Sequence, residues 1–394
     1  MQKIEKNYKK LKIGFYTLET CHFFILACYI PYLSTFLVKR GYTATQVGLI
    51  FMVNSIVVLL MQSVWGIVSD KLRSVKKVYT FLMFVIAAII PIATLLQGFT
   101  EILIFFAVFN LFYCSINSLC DTWVSQGIKS IPNQNYGSYR AWGSLAFTFI
   151  SFLLGLIIEE YRIEVIFFAL SLFALLNGVN SMAIGHHGLP EVKKEVKKLN
   201  VSQLLRNFRY VGFIICVLIL YIATNLKFNF FYQRLMLAGG NDALYGIGHS
   251  LAALSEVPFM ILSGFLIRKY TAENTLKFSM FMYFLCQLCC SFNLSPLALT
   301  LCQLFSGPSY GIFALSSVIY VDSLSPPELK TSALTIAVSI YFGGGGILGS
   351  FLWGRAIDTI GIINSFYASA GMALVAFLLF VIITRVAKKK ESAV

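Results

Sequence analysis

Three acidic side chains, Glu19, Asp121 and Glu256, lie inside long apolar stretches of this chain. An ionised carboxylate in hydrocarbon costs roughly 3 kcal/mol or more, so such groups face a cavity or a partner and commonly bind solutes or carry protons. His22 follows Glu19 by three residues, which places both side chains on one helix face. The alternative for Glu19 is snorkelling towards the membrane surface.

The stretch that contains Asp121 carries polar residues at helical spacing. Asn110, Asn117 and Asp121 are separated by seven and four residues and would form one stripe. Such a stripe either lines an aqueous path or joins helices, and we favour the path. Arg140 begins the next stretch and could reach Asp121 across a short hairpin or snorkel to water. Phe147 lies seven residues after Arg140, on the same face.

The second half of the chain has its own intramembrane polar groups. The seventh apolar stretch carries Asn225 and Lys227, which we predict to contact substrate together with Asn117. The eighth contains His249 and Glu256 near its middle. Glu256 is the first candidate for a proton carrier, with Glu19 next and His249 as a neighbour. A structural ion pair between Glu256 and Lys227 is the alternative.

Composition shows what must position these groups. The chain has 394 residues, of which 58% are hydrophobic and 12% charged, and its mean hydropathy is +0.78. A soluble domain of this size does not need so much apolar surface, whereas a membrane helix needs about 20 apolar residues. The sequence predicts twelve such helices, at 13–38, 45–69, 78–97, 101–127, 139–159, 164–186, 209–237, 243–267, 275–292, 297–323, 331–357 and 363–385.

The net charge of +14 could suggest nucleic-acid binding, but its distribution does not. Most Lys and Arg residues fall in loops on one side of the predicted spans. The other side carries Lys39, Arg40 and Arg162. Cytoplasmic loops are the basic ones, so this asymmetry predicts cytoplasmic termini and no nucleic-acid partner.

A polar stretch near the middle divides the chain. We predict a six-helix bundle over 1–186, a cytoplasmic linker with an amphipathic surface helix over 187–208, and a second six-helix bundle over 209–394. A weak repeat supports this division, because Gly264 follows Gly66 by nearly half the chain length and each glycine ends a similar apolar stretch.

The loop that follows Gly66 has a particular order of residues. Asp70 comes one turn later, followed by Lys71 and, beyond Arg73, by more cations. This order resembles the loop between the second and third spans of the major facilitator superfamily, G-x-x-x-D-[RK]-x-G-[RK]-[RK], with Arg73 in the place of the second glycine. The resemblance implies a cytoplasmic gate formed by these four residues, with Asp70 near the start of the eleventh span, around Thr331.

Within that superfamily the chain resembles the oligosaccharide–proton symporters. The match rests on Tyr29–Tyr32, Tyr136–Gly143 and Glu256–Met260. It implies an all-α integral membrane protein with twelve transmembrane helices in two pseudo-symmetric six-helix bundles. It also implies that Asp121 and Arg140 bind substrate and that Phe147 stacks on a sugar ring. The resemblance fails in the tenth span, where the group's proton-coupling His and Glu are absent.

These features predict a secondary active transporter of the cell membrane that takes up a sugar, oligosaccharide or similar polar solute with protons by alternating access. The alternatives are efflux of lipophilic compounds by proton antiport and a membrane sensor that does not transport. No catalytic constellation is present, so we do not expect an enzyme. We expect no cofactor and no metal site. The expected partners are the solute, protons and the lipid bilayer, with the chain as a monomer.

Overall fold

The computed structural model describes residues 2–132, 134–186 and 202–391, and these ranges contain eleven helices that are long and apolar enough to cross a membrane. They are α1 (Tyr8–Lys39), α2 (Ala44–Lys71), α3 (Val75–Thr94), α4 (Phe99–Ile128), α5 (Tyr136–Glu160), α6 (Val165–Ala183), α7 (Phe208–Leu237), α8 (Asp242–Ser291), α9 (Pro296–Leu324), α10 (Lys330–Ile360) and α11 (Ile362–Lys389). The predicted surface helix of the linker falls mainly at 187–201, outside the described residues.

The helix α8 accounts for the difference between eleven helices and twelve predicted spans. It has 50 residues, about twice the length that crosses a bilayer. Thr271 breaks it, with φ 73° and ψ 155°, between the predicted eighth and ninth spans. The helix therefore contains two spans, and the predicted all-α fold with twelve transmembrane spans is confirmed.

Two loops share an unusual backbone feature that supports the repeat. Arg73 (φ 46°) and Thr271 (φ 73°) are the non-glycine residues with positive φ among those described. They are separated by the same number of residues as Gly66 and Gly264. Positive φ is normally adopted by glycine, which fits the second glycine that the resembled loop pattern has in the place of Arg73.

The first compact unit comprises residues 1–42 and 56–192, with α1 at its centre. In α1, 83% of the apolar window is buried, against 50% or less in each of the other ten helices. It packs against α4, α5 and α6. Gly127 of α4 allows the closest approach, because a Cβ there would collide with the ring of Phe15. This central position explains why the polar residues of α1 are buried.

The second compact unit comprises residues 43–55 and 193–394. Its α7 packs against α10 and α11, and α8 packs against α11. The first turns of α2 belong to this unit, although we predicted them in the first bundle. Gly48 lies so close to α10 that a Cβ would collide with the carbonyl oxygen of Ser350. The division elsewhere falls at the predicted linker.

Irregular turns interrupt α9 and α10 where glycines cluster. A π-helical turn spans Gly307–Gly311 in α9, and another spans Ser339–Gly344 in α10. In α9 the wider turn accommodates close packing, since a Cβ on Gly307 would meet the backbone of Ser255. Single π turns inside α-helices commonly lie at functional sites.

Candidate functional site

An ion pair between α4 and α5 is the centre of the candidate site. Arg140 Nη1 lies 3.4 Å from Asp121 Oδ1, and their side chains are 42% and 31% exposed. The Tyr136 hydroxyl donates a second hydrogen bond to the same carboxylate, at 2.7 Å. The pair is therefore hydrogen-bonded and partly exposed. The predicted meeting of Asp121 and Arg140 is present in the structure.

The first turns of α5 position both donors to Asp121, Tyr136 and Arg140. Asn135 caps the helix by accepting a hydrogen bond from the backbone N–H of Gly137 at 2.6 Å. The helix then begins at Tyr136, so Tyr136 and Arg140 are four residues apart and share one face. The short loop after α4 turns this face towards Asp121.

The ring of Phe23 packs against the guanidinium of Arg140. The guanidinium carbon of Arg140 lies 4.6 Å from the ring centre of Phe23, a cation–π distance. Gly143 makes room for this ring, because a Cβ at that position would collide with it. Phe147, the predicted stacking ring, is half-buried further along α5. Its predicted contact with a sugar stays a prediction.

A chain of hydrogen bonds connects Asp121 to α1. Asn117 donates from Nδ2 to Asp121 Oδ2 at 3.2 Å, and its Oδ1 lies 3.1 Å from His22 Nε2. His22 Nδ1 lies 3.3 Å from the hydroxyl of Tyr79, which accepts from Asn177 Nδ2 at 2.9 Å. His22 therefore joins α1 to the polar stripe of α4, a contact that the sequence did not predict.

The first acid of α1 lies beside this chain. Glu19 is 0% exposed, so the alternative that it snorkels to the membrane surface is wrong. Cys120 donates its thiol hydrogen to Glu19 Oε2 at 3.4 Å. The third member of the predicted stripe is separate, because Asn110 is buried and bonded to the hydroxyl of Tyr29 at 2.9 Å. Asn110 thus joins helices, whereas Asn117 contacts the site.

The second unit contains the other predicted proton-coupling groups. Lys227 donates from Nζ to the hydroxyl of Ser306 at 3.1 Å and interacts electrostatically with the half-buried Glu256. His249 packs edge-on against Tyr245, with ring centres 4.7 Å apart. Its Nε2 is buried and has no hydrogen-bond partner among the described residues. Lys227 and Glu256 interact, so a structural ion pair stays the alternative to the predicted role of Glu256 as proton carrier.

Asn225 is not part of that cluster. Its Oδ1 accepts hydrogen bonds from Asn229 Nδ2 at 2.9 Å and from the Ser350 hydroxyl at 3.1 Å. A Cβ on Gly349 would lie only 2.7 Å from the Cβ of Asn225, so the two helices are close here. Asn225 and Lys227 are two residues apart and point to different helix faces. The structure therefore does not bring these two predicted substrate contacts together.

The predicted gate lies at the end of α2. Gly66 and Lys71 are exposed and Asp70 is half-buried. A Cβ on Gly66 would meet nothing within 4 Å among the described atoms, so no described helix packs closely against this glycine. Arg73 takes the left-handed turn, and its backbone N–H bonds to the carbonyl of Asp70 at 3.2 Å. The gating role stays a prediction.

Lys76, a cation in the first turn of α3, binds the end of α6. Lys76 Nζ donates to the carbonyl oxygens of Met182 and Ile184, at 3.0 and 2.7 Å. These carbonyls lie at the end of α6, where backbone oxygens lack helical partners and a cation is favourable. This lysine of the loop therefore caps a helix.

Sequence reasoning missed several groups of the site. Tyr136 stood inside a motif that we quoted, but its bond to Asp121 was not predicted. Phe23 follows Glu19 by four residues, which is a usable signal. The remaining partners come from other helices and gave no signal in the spacing: Tyr79, Cys120 and Asn177.

The arrangement suits reversible binding of a polar solute. Arg140 uses one nitrogen for the ion pair, and a guanidinium has five N–H donors. A carboxylate beside it accepts hydrogen bonds from hydroxyl groups, and charge-assisted bonds of this kind are the stronger ones. Among the described residues, no group of three or more His, Cys, Asp and Glu could hold a metal ion.

Known proteins resemble this chain along most of its length. It is 25% identical to the sucrose permease of Escherichia coli over 373 residues, covering 90% of this chain and 88% of that protein. It is 24% identical to the maltose permease of Geobacillus stearothermophilus, covering 94% and 93%. The crystal structure of the nucleoside transporter NupG shares the fold, with a TM-score of 0.84 at 18% identity, covering 95% and 99%.

A family model also matches most of the chain. The family is one of transporters, as are these relatives, so the chain is a transporter and not an enzyme. The model of the MFS_1-like family matches residues 11–368. The chain therefore belongs to the MFS_1-like family and is a multi-pass membrane transporter of the major facilitator superfamily.

Proposed function

We propose that this transporter takes up a sugar, an oligosaccharide or a similar small polar solute together with protons. The observation that carries the proposal is the partly exposed ion pair of Asp121 and Arg140, supported by the ring of Phe23. Sugars present hydroxyl groups around an apolar ring face. The site offers charged donors and acceptors beside aromatic surface, which is the matching chemistry.

The ion pair also argues against the lipophilic alternative. A lipophilic compound could not replace the water that solvates Asp121 and Arg140, so binding it there would strand two charges. A hydroxyl-rich solute replaces that water with its own hydrogen bonds. Relatives named as sucrose and maltose permeases favour the same class.

We place the protein in the cytoplasmic membrane as a monomer with both termini cytoplasmic. The loop charges support this orientation. Within the second unit, Lys227 and Asn225 remain predicted substrate contacts. Lys227 is the stronger of the two, because its ammonium group is a charged donor with three N–H bonds, one of which points to the Ser306 hydroxyl.

Uptake by purified protein in proteoliposomes tests the proposal. The probes are labelled sucrose, maltose, uridine and 3-phenylpropionate, each with and without an inward proton gradient. We expect accumulation of a sugar only when the gradient is present. Arg140→Lys should weaken binding of that sugar about tenfold, because an ammonium cannot reproduce the planar fork and one pair of charged hydrogen bonds is lost.

Arg162→Lys is the matched control, because Arg162 undergoes the same change at a side chain that is 89% exposed. Its uptake should equal that of the parent. Normal sugar affinity in Arg140→Lys would refute the assigned site. Extrusion of a lipophilic dye against a proton gradient would instead support antiport, and sugar binding without any uptake would support a sensor.

A further inference from the structure

Glu19 is the buried acid with the poorest hydrogen bonding in the first unit. It is 0% exposed, and among the described residues the thiol of Cys120 is its one hydrogen-bond donor, at 3.4 Å to Oε2. Its Oε1 has no hydrogen-bond partner among the residues that the structure describes. An ionised carboxylate normally accepts several hydrogen bonds or a counter-ion when it is buried. This environment suits a neutral, protonated carboxyl.

The neighbouring histidine is not a competing proton site. Asn117 donates its amide hydrogens to Asp121, so its Oδ1 must accept from His22 Nε2. We therefore assign the hydrogen of His22 to Nε2, which leaves Nδ1 as an acceptor for the hydroxyl of Tyr79. Both ring nitrogens then have a partner in the neutral tautomer. Charging the ring would place a second hydrogen against the Tyr79 oxygen.

The donors in this chain of hydrogen bonds all point towards Asp121. Asn177 donates to Tyr79, Tyr79 to His22, His22 to Asn117, and Asn117 to the carboxylate of Asp121. The hydrogen-bond chain therefore consists of neutral groups that lead to the ion pair of Asp121 and Arg140. The charged and titratable groups that face Glu19 are His22, Tyr79, Cys120, Asp121, Tyr136 and Arg140.

We propose that Glu19 binds the proton that this transporter carries, and that ionisation of Glu19 weakens the substrate site by drawing Arg140 away from Asp121. The inference rests on the proposed function. A proton from water near Asp121 forms an O–H bond at Glu19 Oε1, and the same bond breaks when the proton returns to water. Nothing else is consumed.

The electrostatics give the direction of coupling. With Glu19 protonated, Asp121 is the nearest full negative charge and keeps Arg140 at the solute site. With Glu19 ionised, two carboxylates share one guanidinium, which interacts electrostatically with both. A solute therefore binds best when Glu19 carries its proton, which is the requirement for symport.

Glu256 is the weaker candidate on the same grounds. It is half-buried, whereas Glu19 is fully buried, and it interacts electrostatically with Lys227, which favours its charged form. Protonation of Glu256 would remove the negative charge that Lys227 faces, and ionisation of Glu256 would restore it. The nearest donor to Glu19 is a neutral thiol, so the carboxylate of Glu19 is neutralised by binding a proton.

Infrared spectroscopy of the solute-free protein tests protonation directly. We expect a carboxylic-acid C=O band at neutral pH that shifts in D₂O and disappears in Glu19→Gln. Glu160→Gln, which makes the same change at an exposed acid, should keep the band. Absence of the band in the folded parent, or its survival in Glu19→Gln, would overturn the proposal.

Transport of labelled sucrose, with maltose as second probe, tests the coupling. Glu19→Gln should keep exchange of sugar across the membrane and lose at least tenfold in proton-driven accumulation. Glu160→Gln, the same change at an exposed acid, should keep accumulation. Parental accumulation in Glu19→Gln, or joint loss of exchange and accumulation, would overturn the role of Glu19. A parent that exchanges neither sugar would instead overturn the proposed function, and the infrared band would still decide the protonation.

Discussion

Asp358 provides a quantitative test of how the first turns of α2 are held in the second unit. Its two carboxylate oxygens accept hydrogen bonds from the backbone N–H groups of Ala44 and Thr45, at 3.1 and 2.7 Å. These N–H groups lie in the first turn of α2, where no helical partner exists. Asp358 therefore caps α2 from α10, although more than 300 residues separate them in the chain.

Removal of this cap should have a measurable local effect. Loss of an N-cap side chain costs about 1 kcal/mol, within a range of roughly 0.5–2 kcal/mol. Since Asp358 is exposed, we expect the middle of that range for Asp358→Ala. Asp358→Asn keeps an acceptor oxygen and loses the charge that favours a helix N-terminus, which is worth about 0.3–1 kcal/mol.

Amide hydrogen exchange at residues 43–50, followed by mass spectrometry, reads this cost directly. Because about 1.4 kcal/mol corresponds to a tenfold change, Asp358→Ala should speed local exchange about fivefold and Asp358→Asn about threefold. Exchange elsewhere in the second unit should stay unchanged. Glu160→Ala is the control at an exposed acid. Equal exchange in Asp358→Ala and the parent would refute the cap.

Three further predictions address the gate, the backbone and the topology. Asp70→Asn should slow turnover in proteoliposomes and leave solute binding largely intact, and unchanged uptake would refute a gating role. Arg73→Gly should stabilise the protein by about 1 kcal/mol, because glycine adopts a φ of 46° without strain, and this appears as a higher Tm in thermal unfolding. Single cysteines at Tyr42 and Asn241 should react with an impermeant reagent from outside the cell and one at Lys194 should not, whereas the reverse pattern would overturn cytoplasmic termini.

The fold was predictable from the sequence because a bilayer imposes a simple rule on composition. Each span needs a long apolar run, and the limits of such runs are visible in the sequence. The eighth and ninth spans, which we predicted as separate, follow one another without a connecting loop, because the backbone turns at the single non-helical residue Thr271. Spacing within one helix also succeeded for Asn117 and Asp121, which share a face.

Contacts between distant helices were much harder to predict. Asp121 and Arg140 could be paired because a short loop joins their helices. Phe23 offered one signal, its four-residue spacing from Glu19, which is weak in a chain that contains 36 phenylalanines. Asn225 was placed with Lys227 because both are polar residues in one span, whereas a two-residue separation puts them on different faces.

The two acids of the first unit show how position decides the role of identical chemistry. Asp121 receives hydrogen bonds from Tyr136, Asn117 and Arg140 and is partly exposed, so its environment supports the ionised form. Glu19 receives a thiol hydrogen and is fully buried, so its environment supports the neutral form. The residues that make this difference on α4 are consecutive, because the thiol of Cys120 faces α1 while the carboxylate of the next residue faces α5. A helix can therefore separate a dry proton site from a wet solute site by one residue, and the charge of either acid still acts on the guanidinium that the solute needs.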